Sequence, residues 1–221
     1  VRYNRRMPKN AKIPDFENLY RGFASPISAL DCGKLCAPHN PTGKPFCCDI
    51  CQAVPVAYKP EWRFLRERTK LWHVWRGDEC VEEVCDPSVL EDETPEHLLL
   101  LSCEGPDHCL RVFRTISCRQ FPFFPYITRD LQFIGLTVDW DFYEKCWILD
   151  HLEQVTAQYR QEFVNTFDSI FSFWLEDFDS YAALSEEARQ YYQSIGKLIP
   201  LLHRDGQNYL LNPEDETLER N

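Results

Sequence analysis

The sequence predicts a helix-rich α+β protein, with a loop-rich cysteine metal-binding half braced by C-terminal helices. Three observations lead to this prediction. Residues 31–58 are dense in Cys, Pro and Gly, which is typical of loops and turns. The apolar run at residues 98–102 has the length of a short buried strand. Between residues 140 and 175, apolar side chains recur in steps of three and four, as in an amphipathic helix.

The composition divides the chain into four segments. Residues 1–30 are polar and are expected to form an extended N-terminal arm that packs against the body. Residues 31–135 form the cysteine-cluster region, and residues 136–211 form a helical region that packs on it. The polar residues 212–221 are expected to be a loose tail.

Local signals place the first elements within these segments. Pro60 suits the first turn of a helix that carries Trp62 and Leu65 on one face. The run at 98–102 leads into Cys103, and residues 110–113 are expected to form a second strand after a turn at 105–108.

Farther along, residues 140–175 are expected to be helical, in one piece or two. Ser185, followed by two glutamates, is typical of a helix start, and Gly196 of a helix end. The sequence therefore predicts that the C-terminal third is mainly helix.

Composition limits the classes of function. A net charge of −11 argues against nucleic acid as the main partner, because a phosphate backbone requires a basic surface. No segment approaches the roughly 18–20 apolar residues of a membrane span. The first residues lack the apolar stretch of a signal peptide, and the cysteine count of 11 is odd. These features predict a cytoplasmic protein with reduced thiols, whereas a disulfide-rich extracellular protein is the alternative.

The cysteines carry the strongest chemical signal, because short spacings allow thiolates to chelate one metal. The spacing of Cys32 and Cys36 places their sulfurs about one helical turn apart or across a turn, and both geometries allow chelation. Cys47 and Cys48 are adjacent, so their side chains point apart in an extended segment. Such a pair suits two metals, a polynuclear cluster, or one metal and one core position. Cys51 follows Cys48 at the spacing of a metal knuckle.

A second set of thiols follows the predicted strand. Cys103 and Cys109 flank Glu-Gly-Pro-Asp-His, and Cys118 begins Cys-Arg-Gln-Phe-Pro-Phe. Arg119, beside Cys118, is expected to lower the pKa of that thiol and to offset the charge of a multi-thiolate site.

These residues resemble the YkgJ-type cysteine-cluster family, which is described as zinc- or iron-chelating and includes relatives of flagellin lysine N-methylase. The stretch from Cys109 to Phe123 is similar to its C-[IL]-x-Y-x-x-R-P-x-x-C-R-x-[FY]-P-[FW] signature. Phe113 stands near the usual Tyr, Thr115 replaces Pro, and ten residues separate Cys36 from Cys47 where the family has few. The resemblance covers roughly residues 30–125. It implies metal chelation by Cys32, Cys36, Cys47, Cys48, Cys103, Cys109 and Cys118.

Cys51 completes a predicted set of eight ligands. Eight thiolates suit two zinc sites or one or two iron–sulfur clusters, and the vicinal pair favours iron–sulfur. Cys146 is expected to be a core thiol within a helix. The sequence leaves four further residues open as ligands, namely Cys80, Cys85, His39 and His108.

The sequence points to no reaction. It lacks metalloprotease, nucleophile-elbow, phosphate-loop and dinucleotide motifs. We therefore expect a metal-binding protein whose centre is structural or electron-carrying and acts through a protein partner. A protein-modifying enzyme related to flagellin lysine N-methylase, and a protein that handles metal, are the alternatives.

Overall fold

The computed structural model describes residues 14–79 and 87–220. Both helices and antiparallel sheets occur, which confirms the α+β class. The helices are α1 (Phe16–Gly22), α2 (Cys32–Cys36), α3 (Lys59–Arg66), α4 (Pro87–Glu93), α5 (Ile116–Gln120), α6 (Ala157–Phe173) and α7 (Leu175–Ser194). The strands are β1 (Val56–Tyr58), β2 (Trp72–Val74), β3 (Leu98–Cys103), β4 (Phe123–Ile127), β5 (Phe133–Val138), β6 (Ile199–His203), β7 (Asn208–Leu211) and β8 (Leu218–Arg220).

The smaller sheet has the order β1-β3-β2 and is antiparallel, with Val56 opposite Leu100 and Trp72 opposite Cys103. The central strand β3 confirms the strand predicted at residues 98–102. Leu101 is fully buried, while Cys103 at the end of the strand is only partly buried. The sheet thus fixes the position of the first thiol of the second cysteine stretch.

The larger sheet is a meander of β4, β5, β6, β7 and β8, each antiparallel to the next. Every residue of β4 is buried. Pro125 is tolerated in this strand because β4 lies at the edge of the sheet and pairs with β5 alone.

The periodic segment at 140–175 is helical only in its second half. Thr156 caps α6 by accepting a hydrogen bond from the Tyr159 amide, and Phe163 and Phe167 on one face of this helix are fully buried. Residues 140–154 instead form short 3₁₀ turns. Glu144 has a φ of 66° there, which a right-handed helix excludes.

Other local predictions had mixed outcomes. Helix α3 contains Pro60 in its first turn, and α7 ends just before Gly196, as predicted. Ser185 does not begin a helix: it lies inside α7, where its hydroxyl donates to the carbonyl of Tyr181 at 2.7 Å. The second strand predicted at 110–113 is wrong, since these residues contain the 3₁₀ turn Arg111–Phe113.

Three segment predictions also need correction. The boundary after residue 135 falls inside β5, and residues 136–211 contain β6 and β7 as well as helices. The tail at 212–221 is not loose over its described part, because β8 pairs with β7. The arm at 1–30 is helical rather than extended at α1, where Phe16 and Tyr20 are buried. At α1, packing of the apolar Phe16 and Tyr20 overrides a polar local composition. Residues 1–13 lie outside the described part.

None of the described helices is both long enough and apolar enough to cross a bilayer.

Candidate metal centre

The first cysteine stretch is folded by short helical turns. Cys32 and Cys36 are the first and last residues of α2, so their side chains lie about one turn apart. Cys47 and Cys48 end the 3₁₀ turn Phe46–Cys48, and their sulfur atoms are 3.9 Å apart. This turn packs against α2. All four thiols are therefore held on one compact loop structure.

A buried polar cluster holds the ten residues between Cys36 and Cys47. The amide nitrogen of Asn40 donates to the carbonyl of Lys44 and to Asp49 Oδ2, both at 3.0 Å. The Thr42 hydroxyl also donates to Asp49 Oδ2, at 2.8 Å. Asn40 and Asp49 are buried, so these bonds replace the apolar core that the loop lacks.

The second cysteine stretch begins on the small sheet. Cys103 ends β3, and Cys109 follows the 3₁₀ turn Pro106–His108. Cys118 lies in α5, which Thr115 caps by accepting a hydrogen bond from the Cys118 amide at 3.2 Å. Sheet, turn and helix thus present three thiols on the same side of the protein.

The two stretches meet at one cavity of about 90 Å³. Its wall carries the basic side chain of Arg114 and the exposed His108. The thiols that line it come from both stretches, namely Cys47, Cys48, Cys103, Cys109 and Cys118. Five of the predicted ligands are thereby brought together, although about a third of the chain separates Cys47 from Cys118.

The remaining free thiols, Cys32, Cys36 and Cys146, do not line this cavity. Cys36 and Cys146 are buried, and α2 packs against the 3₁₀ turn Trp147–Asp150 that follows Cys146. Cys146 interacts electrostatically with Cys32 and Cys36. The prediction of a buried Cys146 is confirmed, but Cys146 precedes a 3₁₀ turn rather than lying in a helix.

Cys51 departs from the predicted ligand set. Its sulfur is disulfide-bonded, which removes it as a thiolate ligand in this form. The eight other cysteines of the described chain are free thiols. Cys80 and Cys85 lie outside the described residues. His39 is exposed and does not line the cavity.

The type and the positions of the donor atoms determine whether these residues fit a metal. Among the described residues, no three Cys, His, Asp or Glu side chains lie close enough to hold one ion as they stand. Eight free sulfur donors in one neighbourhood nevertheless match the preference of zinc, copper(I) and iron–sulfur clusters for soft ligands. The donor chemistry therefore fits a thiophilic metal, while the sulfur positions are not yet those of a closed coordination shell.

Arg114 supplies positive charge to the cavity. Its Nε donates to Cys109 Sγ at 3.1 Å, and its guanidinium also interacts electrostatically with Cys48 and Cys118. The hydrogen bond from Cys47, together with Arg114, lowers the pKa of Cys48 to about 7. The same hydrogen bond raises the pKa of Cys47. Without metal, Cys48 is consequently the more acidic thiol of the vicinal pair.

At other thiols of this region, burial raises the pKa. It raises the pKa of Cys118 to about 12 and that of Cys146 to about 12. Nearby backbone amides lower these pKa values in part: that of Phe46 acts on Cys36, that of Gly105 on Cys103, and that of Ile148 on Cys146. Donors aimed at sulfur favour the thiolate form that a metal requires.

The role predicted for Arg119 is wrong. Its side chain is only 5% exposed and points away from the thiols, because buried carbonyl oxygens accept all of its hydrogen bonds. Those acceptors belong to Tyr20, Phe23, Arg111, Val112 and Arg114. The pKa of Cys118 is raised by burial rather than lowered by Arg119. Arg119 instead anchors the turn that carries Arg114.

Trp72 fixes the same turn from the small sheet, since its indole nitrogen donates to the carbonyl of Phe113 at 2.8 Å. Sequence reasoning missed Arg114 and the Asn40–Asp49 cluster, and it did not place Cys146 beside Cys32 and Cys36. Arg114 lies within the family-like signature, so that motif was the one available signal. Nothing local to Cys146 or Asn40 indicates which residues lie beside them in the fold.

Comparison with known proteins adds no relative. The chain matches no family model, no curated protein and no solved structure.

Proposed function

We propose that this chain is a metal-binding protein whose converging cysteines hold an iron–sulfur or zinc centre of the YkgJ type. The observation that carries the proposal is the meeting of two distant cysteine stretches at one cavity. A structural core needs few thiols, and it does not need them on both sides of a cavity. Metal ligation accounts for both features.

The electrostatics support this reading. Burial keeps most of these thiols protonated, so metal-free protein holds a group of neutral, poorly hydrated sulfurs. A cation in their midst would favour the thiolates, and Arg114 would balance part of their negative charge. The energy of metal binding would then contribute directly to folding of the loop around α2.

An iron–sulfur cluster is the form that we favour. The number of thiols and the adjacent pair Cys47–Cys48 suit a polynuclear group better than one ion. Such a group, when bound, would supply one-electron transfer or structural cross-linking. In either role, the protein's own residues would bind it through sulfur, bury it and tune its charge.

A protein partner is part of the proposal. Leu110, which lines the cavity, is exposed, and an exposed apolar side chain near a redox centre suits transient docking. We also propose a cytoplasmic location, because eight free thiols persist in a reducing compartment. The Cys51 disulfide is the bond in the described chain that such a compartment would tend to reduce.

The test is anaerobic purification followed by metal analysis and an optical spectrum. We expect stoichiometric iron and sulfide with visible charge-transfer absorbance, or stoichiometric zinc in a colourless protein. Cys118→Ser should lower the metal content, whereas Cys51→Ser is the matched control that should not. Protein that binds neither metal after reduction and reconstitution would overturn the proposal.

A further inference from the structure

A second concave surface adjoins the turn Arg111–Phe113, and it shares no lining residue with the thiol cavity. This groove has a volume of about 470 Å³ and is formed by α1, the end of α3 and that turn. Its charged lining residues are Glu17, Arg21, Arg68, Arg111 and Arg119. Because four of these five are arginines, we call it the basic groove.

Two of the arginines are held in position before any ligand binds. The guanidinium carbon of Arg68 lies 4.0 Å from the centroid of the Phe64 ring, and its Nη1 donates to the Phe64 carbonyl at 3.2 Å. Arg111 donates from Nε to the carbonyl of Ala24 at 3.0 Å and from Nη2 to that of Ser25. An arginine that is already ordered loses less conformational entropy when it binds a ligand.

The basic groove carries positive charge that the described chain does not neutralise. Glu17 is its one lining carboxylate, and it is shared between Arg21, with which it pairs, and Arg68, whose Nη2 lies 4.0 Å away. Within the described residues, Arg111 forms no ion pair. Arg119 cannot bind a ligand, because carbonyl oxygens accept all of its hydrogen bonds. The three outer arginines of the groove are therefore Arg21, Arg68 and Arg111.

The positive surface continues beyond the groove along α3 and the residues after it. Three exposed cations there make no ion pair with any described residue, namely Arg63, Arg66 and Lys70. The whole chain has a net charge of −11. A local excess of arginine on an acidic protein gives that face a field that attracts acidic molecules and orients them.

Apolar surface accompanies these charges. Val112 lines the groove and is 66% exposed. The half-buried Phe64 contacts Tyr20, with the two ring centroids 5.1 Å apart. Arginine and aromatic side chains are the residues that contribute most to binding at protein interfaces. The groove thus combines charge with an apolar contact area.

We propose that the basic groove docks an acidic segment of a protein partner, whose carboxylates pair with the outer arginines and whose apolar side chain packs on Val112 and Phe64. The partner's role rests on the proposed function. The turn Arg111–Phe113 separates the two surfaces, since Val112 lines the groove and Phe113 lines the thiol cavity. A partner that docks here lies next to the proposed centre.

Nucleic acid is the other polyanion that an arginine-lined groove could take, and the surrounding charges disfavour it. Glu17 lies in the groove, and Glu67 lies 3.5 Å from Arg68 Nη1. A phosphate backbone would bring a continuous line of negative charge past both carboxylates and towards an acidic protein. A peptide can place a few carboxylates on the outer arginines alone.

The experiment measures, by fluorescence anisotropy, the binding of a fluorescein-labelled peptide that has glutamates on both sides of a central leucine. Wild-type protein should bind it, with an affinity that falls as salt is added. Arg21→Gln/Arg68→Gln should lower the affinity by about 5–10-fold, because it removes two exposed charge pairs. Lys197→Gln/Arg220→Gln, which removes two exposed cations outside the groove, is the matched control. Equal affinities in the two double variants would overturn the proposal.

A second pair of variants tests the apolar contact. Val112→Asp should weaken binding of the peptide, and the exposed position of Val112 makes this change compatible with folding. Val89→Asp adds the same charge at an exposed position of α4, outside the groove, and should bind as wild type does. Unchanged affinity in Val112→Asp would show that the peptide binds elsewhere.

Two further outcomes would replace the proposed occupant. A thymidine oligonucleotide of the same charge that binds more tightly than the peptide, and loses affinity in Arg21→Gln/Arg68→Gln, would overturn the protein partner in favour of nucleic acid. Self-association in sedimentation velocity that the same variant abolishes would assign the groove to a second copy of this chain.

Peptide binding is measured on protein with and without metal, which separates the inference from the proposed function. Wild-type protein that binds metal but no peptide contradicts the inference and leaves the metal-binding function standing. Protein that binds the peptide through the groove but takes up no metal contradicts the proposed function and leaves the docking surface standing.

Discussion

Arg114 donates a hydrogen bond from Nε to the sulfur of Cys109 at 3.1 Å, and its guanidinium also interacts electrostatically with Cys48 and Cys118. This pairing, rather than the predicted one between Arg119 and Cys118, supplies positive charge to the site. In the proposed metal site, Arg114 would tune the metal without ligating it.

Arg114→Gln should weaken metal binding by about 10–100-fold, the range found for residues that hydrogen-bond to metal ligands. It should also make the reduction potential of a bound cluster more negative, because the added electron loses a nearby positive charge. Competition with a chelator measures the first effect and electrochemistry the second. Arg66→Gln, on the exposed face of α3, is the control. Equal affinities in the two variants would contradict the role of Arg114.

Cys48 should be the cavity thiol that reacts soonest as pH rises in reduced, metal-free protein. Its pKa is lowered to about 7, whereas burial raises that of Cys118 to about 12. The rate of alkylation at Cys48 should be half-maximal at about pH 7 and level off above it, since the thiolate is the nucleophile. Peptide mass spectrometry after brief iodoacetamide treatment measures this. Faster labelling of Cys118 at neutral pH would refute it.

Arg119→Lys should destabilise the protein by roughly 2–4 kcal/mol, because lysine cannot reproduce a planar fork of hydrogen bonds to several carbonyls. The same change should lower metal affinity, since the turn carrying Arg114 loses its anchor. Denaturant unfolding and zinc titration provide the two readings.

Arg160→Lys is the matched control for Arg119→Lys. Arg160 is also buried, but it binds Gln207 and Asn208 at the larger sheet. It should reduce the free energy of unfolding and leave metal affinity unchanged. Loss of affinity in both variants would show that general destabilisation, not anchoring, is responsible.

His97 should make the stability depend on pH. Its Nε2 lies 2.6 Å from Asp177 Oδ1, and this hydrogen bond raises the pKa of His97. A raised pKa means that the folded state favours the charged imidazole. The resulting stabilisation is therefore complete below the unfolded pKa of about 6.5 and is lost as pH rises through the folded pKa.

The measurement compares His97→Gln with wild type by denaturant unfolding across this range. The difference in the free energy of unfolding should be largest at about pH 6 and smaller at alkaline pH. His151→Gln, a half-exposed histidine, is the control. A difference that grows with pH would show that the sign of the pKa shift is wrong.

Sequence patterns predicted the helices and strands that depend only on residues close together in the sequence. The apolar run that became β3 and the proline that opens α3 depend on a few neighbouring residues. The strands β4 and β5 were missed because aromatic and apolar runs such as 123–127 also suit buried turns. Their identity depends on pairing with each other, which no local pattern specifies.

The same distinction applies to the candidate site. Short spacings pointed to Cys32, Cys36, Cys47 and Cys48, since proximity in sequence enforces proximity in space. Cys146 is close to them only because α2 packs on the turn that follows it. The orientation of the Arg119 side chain could not be predicted either, because it depends on hydrogen bonds to the carbonyl oxygens of Tyr20 and Phe23.

The central claim is that the converging thiols bind metal, and site-specific thiol protection tests it most directly. Anaerobic wild-type protein should be alkylated under native conditions before and after metal removal, and each cysteine should be read by mass spectrometry. The account predicts that the thiols lining the cavity, including Cys103 and Cys109, are protected with metal and become reactive without it. Equal reactivity in both forms, in protein shown to be folded, would contradict it.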